Sequence, residues 1–322
     1  MELELISHTK IQQLISIFQY LEGFSANVNL MFYSDRLYMQ TMDSARVSVC
    51  ELFLPDSWFH KYTLKQELKS GKYIQVGMNV SLLARVLKII NNKSLNLGNG
   101  NGIKLQLTYE INSDVFSVSI FFNLPAFFDK KGKKMEEIVS LKTDTETLEK
   151  TETLETAETP EKKQDYHFEL PLIFLSEERM RIPITMDYSA DFALASDWFA
   201  EIIKNLRIFG DDIELECSES SISLSSRSED QGMMRVPLST DDLHFFSIEE
   251  DLVLRMKFRT SFLFVISQFH RLSKWVYLHL MKEQPMQIIY DLMPKNEKSD
   301  LVEDENSIPD ARLVFYLVES LL

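Results

Sequence analysis

Cysteine is scarce. Cys50 and Cys217 are the only two in 322 residues, too few for a disulfide framework, which predicts a reducing, intracellular setting. Long apolar runs are missing as well. No stretch approaches the roughly 20 residues a membrane helix requires, so a soluble protein with no membrane partner is expected. The N-terminal "MELELISHTK" has no basic region followed by an apolar core, and no secretory signal is predicted. Positive charge is in deficit, with 34 Lys and Arg against 49 Asp and Glu and a formal net charge of −15. That balance argues against broad nucleic-acid binding over the exterior, yet leaves room for a local cationic patch.

The patterns of catalysis are also missing. His8, His60, His167, His244, His270 and His279 are scattered, and none stands at zinc-ligand spacing with a cysteine. "GNGNG" at 98–102 has no following Lys-Ser/Thr and reads as a hairpin turn rather than a phosphate loop. Asp211 and Asp212 fall between a helix and a strand, where such residues cap or face water. No Ser or Cys has the context of a nucleophile. No enzyme activity, cofactor or metal is therefore predicted. Base-reading modules are absent too, with no helix-turn-helix signature and no aromatic-rich RNP motif.

What is present is a large, patterned core: 45% hydrophobic and 11% aromatic residues over a length suited to two domains. One plan occurs twice. The first half opens with a helix over about 9–21, with Ile11, Leu14, Ile15 and Phe18 on one side, followed by the alternating segments "VNLMFYS", "RLYMQTMD" and "RVSVCELFLP". A second helix, 80–91, places Leu82, Leu83, Val86, Leu87 and Ile90 on one stripe, and the strands "IKLQLTYEI" and "VFSVSIFFNL" follow. The second half repeats the order. "SDWFAEIIKNLRIFG" is a helix and 211–238 gives strands with turns at Glu219–Ser221 and Glu229–Gly232. "TSFLFVISQFHRL" is the fourth helix, and "WVYLHLMKEQPMQIIYDLM" and "ARLVFYLVE" close the sheet. The expected fold class is α+β, two similar domains each with two helices on antiparallel sheets. Between the halves, 124–165 carries the near-repeats "TETLEK", "TETLET" and "AETPEK" and is expected to be a disordered insertion. Its "KKGKK" is a weak nuclear-localisation pattern.

The helix faces turned away from the apolar stripes lean to one sign. Arg85 and Lys88 occupy the second helix, Lys204 and Arg207 the third with Glu201 a turn earlier, Arg271 and Lys274 the fourth, and Lys10 the start of the first. Singly, each is an ordinary solvated face, and cations near helix C-termini favour the macrodipole. Gathered on one surface, they would bind phosphates through counterion release and read no bases.

At "LYMQTMDSARVSVCEL" (37–52) the chain resembles the proliferating cell nuclear antigen family, the eukaryotic and viral DNA sliding clamps. "VGMNVSLLARVLK" resembles the family's next helix, including basic positions at Arg85 and Lys88. "WFAEIIKNLRIFGDDIEL" resembles the third helix and its exit, and "RLVFYLVE" the last strand. The likeness spans nearly the whole chain outside 124–165. It implies an N-terminal clamp domain over 1–172, an interdomain connector over 173–185 and a C-terminal clamp domain over 186–322. It further implies a ring, usually a homotrimer, around duplex DNA. Such a ring tethers a DNA polymerase and other replication and repair proteins, is opened by a clamp loader, and works in the nucleus or at a viral replication site.

By the same resemblance, partner peptides of the Gln-x-x-aliphatic-x-x-aromatic-aromatic type would bind beside the connector. Met180, Ile182 and Pro183 would lie over a groove floored by Met42, Val47 and Val49 and edged by Tyr316 and Val318, with connector backbone free for peptide hydrogen bonds. The chain departs from the family at Gln12, Gln13 and Gln19, which stand for lysines, at Glu201 for an arginine and at Glu319 for a proline. Pro171 and Pro237 each remove a ladder donor from strands that would join neighbouring subunits. A subunit of a checkpoint-type heterotrimer and a monomeric viral processivity factor remain open on these residues.

Overall fold

The computed structural model describes residues 1–65, 69, 71–94, 102–124, 162–176, 180–182, 188–292 and 310–320. In the first half, β1 (Glu2–Leu5) and α1 (His8–Leu21) lead to β2 (Asn27–Phe32), β3 (Arg36–Met42), β4 (Ser48–Pro55), β5 (Lys61–Thr63) and β6 (Ile74–Asn79). Then come α2 (Val80–Ser94), β7 (Ile103–Tyr109), β8 (Val115–Leu124) and β9 (Lys162–Pro171). The second half has β10 (Ala190–Ala195), α3 (Ser196–Leu206), β11 (Asp212–Ser218), β12 (Ser221–Ser228), β13 (Gly232–Leu238), β14 (Phe245–Ile248) and β15 (Val253–Arg259). It ends with α4 (Thr260–Ser267), β16 (Trp275–Leu280), β17 (Met286–Asp291) and β18 (Arg312–Leu317). Element for element, β1 to β9 with two helices are followed by β10 to β18 with two helices in the same order.

The sheets respect this duplication and then join across it. The first half forms a five-stranded sheet, β5-β1-β7-β8-β9, and a group β4-β3-β2-β6; the second forms the matching β14-β10-β16-β17-β18 and β13-β12-β11-β15. β18 pairs antiparallel with β4, from Arg312 opposite Phe53 to Leu317 opposite Ser48, so that the middle two groups fuse into one nine-stranded sheet. Its helix-side face is apolar. Phe315 packs against Phe24 (5.6 Å), Phe269 (4.9 Å) and Tyr290 (6.4 Å between ring centroids), linking both halves in a single core. Burying one such side chain stabilises the fold by about 1.5–3 kcal/mol.

The helices form one layer in the order α2, α1, α4 with its 3₁₀ extension, α3. Flanked on both sides, α1 buries Ile11, Leu14, Ile15, Ile17, Phe18 and Leu21. Its Gln13 is turned to the domain junction, where Nε2 donates to the carbonyls of Leu272 (3.3 Å) and Leu292 (2.9 Å).

Several boundaries differ from the sequence reading. The third helix ends at Leu206 rather than running to Gly210: the Ile208 and Phe209 N–H groups donate to the Asn205 and Leu206 carbonyls as tight turns, and Gly210 then lies where a Cβ would stand 2.7 Å from the Arg227 carbonyl oxygen. The fourth helix tightens into a 3₁₀ turn at Gln268–Leu272. Both ends of the segment expected to be disordered are strand, β8 running to Leu124 and β9 starting at Lys162; positions 125–161 lie outside the described residues.

Candidate nucleic-acid interface and peptide groove

The cations expected on the helix faces do not share one environment, and two lie past the helix ends: Arg207 caps α3, and Lys274 stands between the 3₁₀ turn and β16 rather than on the fourth helix. Arg85, Lys204, Arg207, Arg271 and Lys274 are exposed, and none has a carboxylate partner among the described residues. Arg207 lies over the Phe264 ring (4.2 Å) and Lys274 over Trp275 (4.9 Å), contacts that hold the charge in place without neutralising it. Lys88 is half-buried and bridged to Glu22 at the end of α1 (3.2 Å). Lys10 differs most. Its Nζ donates to the Trp58 carbonyl (2.7 Å) and lies 5.7 Å from that indole's ring centroid, and burial lowers its pKa. Of the residues expected to face DNA, Lys10 is thus fastened to the protein and Lys88 is paired. Gln13 acts at the domain junction.

The opposite, outer face of the nine-stranded sheet carries the connector. Strand register sets Gly77, Asn29, Gln40 and Glu51 in one row across β6, β2, β3 and β4. The connector crosses above this row. The Ile173 N–H donates to the Gly77 carbonyl (2.9 Å), Gln75 Nε2 to the Leu175 carbonyl (3.2 Å) and Asn29 Nδ2 to the Ser176 carbonyl (3.2 Å). Gln40 completes the attachment: its Nε2 donates to the Met180 carbonyl and its Oε1 accepts from the Met180 N–H, at 2.9 and 2.8 Å. At Met180, therefore, both backbone groups expected to serve a bound peptide are already occupied.

Two residues further along each strand, Met42, Val49 and Tyr316 stand side by side on that outer face. The Val318 N–H donates to the Val47 carbonyl (3.1 Å), which brings these two valines together beside the row. Val49 is buried and Val47 and Tyr316 half-buried, whereas Met180 and Val318 are 47% and 49% exposed. The Tyr316 hydroxyl accepts from Gln287 Nε2 (3.2 Å), and burial, with Glu51 nearby, raises its pKa. Ile182 is half-buried; Pro183 lies outside the described residues. Glu319 accepts from the Lys257 N–H (3.3 Å).

The turn between β3 and β4 is built on Asp43, which is 7% exposed. Its Oδ1 accepts from the amides of Val47 (2.8 Å) and Ser48 (2.6 Å), and Oδ2 from Ala45 (2.9 Å). This explains the Met-Asp-Ser pattern: a short carboxylate closes the loop by satisfying its inward N–H groups. The turn walls a cleft of about 590 Å³ lying between the ends of β2 and β3 and connector residues Leu175, Ser176 and Met180. Met42 and Met180 line this cleft, but its remaining walls are mostly polar, a feature the sequence reading missed. Among the described residues, no three His, Cys, Asp or Glu side chains gather as metal ligands.

A duplicated α+β chain, with four helices layered on one side of its sheets and a connector strapped across the other, defines the clamp fold. The family model for the N-terminal domain of proliferating cell nuclear antigen matches residues 2–120, and that for its C-terminal domain matches 182–299. The chain belongs to the proliferating cell nuclear antigen family. It is similar to "Proliferating cell nuclear antigen 2" of Drosophila melanogaster, 23% identical over 256 residues that cover 80% of this chain and 79% of the relative. It is also similar to "Proliferating cell nuclear antigen 2" of Plasmodium falciparum, 19% identical over 305 residues covering 95% and 94%. Among solved structures, a chain of the PCNA2-PCNA3 complex from Sulfolobus tokodaii shares the fold, with a TM-score of 0.68 at 18% identity over 99% of each chain.

Proposed function

We propose that this protein is a DNA sliding clamp, a processivity factor that encircles duplex DNA and tethers a polymerase and other replication and repair proteins, without catalysis of its own. One observation carries the reading. Within the chain, β18 of the second half pairs with β4 of the first; by the duplication, β9 corresponds to β18 and β13 to β4, and both β9 and β13 are edge strands of their sheets. β9 of one copy and β13 of the next can therefore repeat between chains the joint that already exists within one. Such a head-to-tail contact closes into a ring or polymerises.

In a ring the helix layer faces the hole. Arg85, Lys204, Arg207, Arg271 and Lys274 then attract phosphates weakly and without direction, as sliding requires. Retention comes from topology, and the tethered polymerase rebinds at high effective concentration. Partner peptides dock over Met42, Val49 and Tyr316 beside the connector, anchored by apolar side chains. A clamp loader opens the ring, and the site of action is the nucleus or a viral replication site.

A homotrimer is the assembly the repeated joint favours. A heteromeric ring is the second reading, favoured by one proline in each open edge strand, Pro171 and Pro237, and by the mixed composition of the Sulfolobus tokodaii complex. Native mass of the purified chain separates them, three copies supporting the first and a lone chain the second. Retention on closed circular DNA, with loss on linearisation, tests the clamp itself; equal retention on both would overturn it.

A further inference from the structure

The polar cleft beside the groove has a cation at its wall that the fold goes to some trouble to present. Among the described residues lining it, the charged ones are Asp43 and Arg46. The Asp43 carboxylate is taken up by three backbone amides. Arg46 is exposed and has no carboxylate partner among the described residues.

Arg46 also adopts φ of 59°, a left-handed conformation that glycine takes freely and an arginine does not. Asp43 enforces it, since its carbonyl accepts from the Arg46 N–H (3.0 Å) while its side chain binds the amides around it. Loop closure alone would be better served by glycine. The side chain is what an arginine adds here, and it is a forked donor suited to a carboxylate. Arg181 is a second exposed cation, following Met180 on the opposite wall. In a chain of net charge −15, these are two exposed cations next to the apolar row of Met42, Val49 and Tyr316, and the Asp43 carboxylate beside them is turned to its own loop amides.

We propose that this cleft is a second subsite of the peptide groove, in which Arg46 pairs with an acidic side chain flanking the partner's apolar anchor. The inference rests on the groove reading above and adds the kind of partner: a peptide whose hydrophobic motif adjoins Asp or Glu. Arg46 is then a specificity-determining residue.

The test uses synthetic peptides with a Gln-x-x-Ile-x-x-Phe-Phe core, extended at one end and then the other by glutamates or by glutamines. Affinity for the full chain is read by fluorescence anisotropy. The wild type is expected to prefer one glutamate-extended peptide by about five- to ten-fold. Arg46→Gly, which suits the backbone and should leave Tm unchanged or raised, is expected to bring that ratio to about one while the glutamine peptide binds as before. No preference in the wild type, or a preference that survives in Arg46→Gly, would overturn the inference while leaving the groove standing. A preference lost only in Arg181→Gln would overturn the assignment to Arg46. Failure of every peptide to bind the folded chain would remove the groove reading, and this inference with it.

Discussion

Gln40 and Met180 face each other as two strands of a sheet would, with a side-chain amide standing in for one backbone. Both Met180 backbone groups are matched, at 2.8 and 2.9 Å, although 140 residues separate the partners in sequence. Gln40 also donates to the buried Glu51 carboxylate (2.9 Å), which accepts from the Tyr38 hydroxyl as well. The amide is therefore held from behind, and the connector is latched to β3 rather than draped over it.

Replacing Gln40 by Ala removes both bonds to Met180 at once, together with the bond to Glu51. Each such bond contributes about 0.5–1.5 kcal/mol net, and the loss falls on Met180 itself, whose N–H and carbonyl both bond to Gln40. Faster proteolysis and amide exchange around residue 180 are expected, with a small drop in global Tm from the donor that the buried Glu51 carboxylate loses. Peptide affinity should change in the same variant, since Met180 is one wall of the groove. An unaltered exchange rate at Met180 would show that the latch is not what fixes the connector.

Gly77 makes the other end of the crossing possible. A Cβ there would come within 2.1 Å of the Ile173 carbonyl oxygen and 3.1 Å of Asn29 Oδ1, so the connector could not lie flat on β6. Gly77→Ala is expected to lift the connector's start and to destabilise the chain by about 1–3 kcal/mol. Urea unfolding gives the second quantity and limited proteolysis near 173 the first.

The two thiols should be inert in the folded chain. Burial raises the Cys50 pKa well above its ordinary value of 9.0 and pushes that of Cys217 up to about 11, and only the thiolate reacts. A disulfide-exchange reagent at pH 8 is expected to modify neither until denaturant is added, when both react. The linkage has a definite sign. Above pH 9 the unfolded chain releases thiol protons that the folded chain keeps, so this contribution to stability declines from about pH 9 toward pH 11. Replacing Cys217 by Ala should flatten that part of the stability profile.

The duplication was readable because α1, α2 and α3 show apolar spacing at the helical period and β11 alternates Ile213, Leu215 and Cys217 with Glu214 and Glu216. The fusion of the halves was not. Pairing of β18 with β4 joins segments more than 250 residues apart, and no local pattern records which edge strand meets which. Charge was legible, its pairing less so. Lys10 reads as one more helix cation, yet its reach to Trp58 depends on where the turn after β4 comes to rest. Likewise Gln40 reads as a polar strand residue, and its bond to the connector depends on tertiary packing alone.

Unequal pairing among the helix cations gives the sharpest test of the DNA-facing surface. If unpaired charges act on phosphates, Arg85→Glu combined with Lys204→Glu should abolish stimulation of a polymerase and leave the circular dichroism spectrum intact. The milder Arg85→Gln with Lys204→Gln should reduce the salt dependence of DNA retention by about 1.8 in log–log slope, two contacts at about 0.9 each. Lys10→Gln is the internal control. Because the Lys10 ammonium is anchored on the Trp58 carbonyl and half-buried, its removal should cost about 1 kcal/mol of stability and change the salt slope less than either of the other two. A slope that falls equally in all three positions would mean that Lys10 leaves Trp58 when DNA is present. A slope that moves in none would take the helix layer out of contact with DNA altogether.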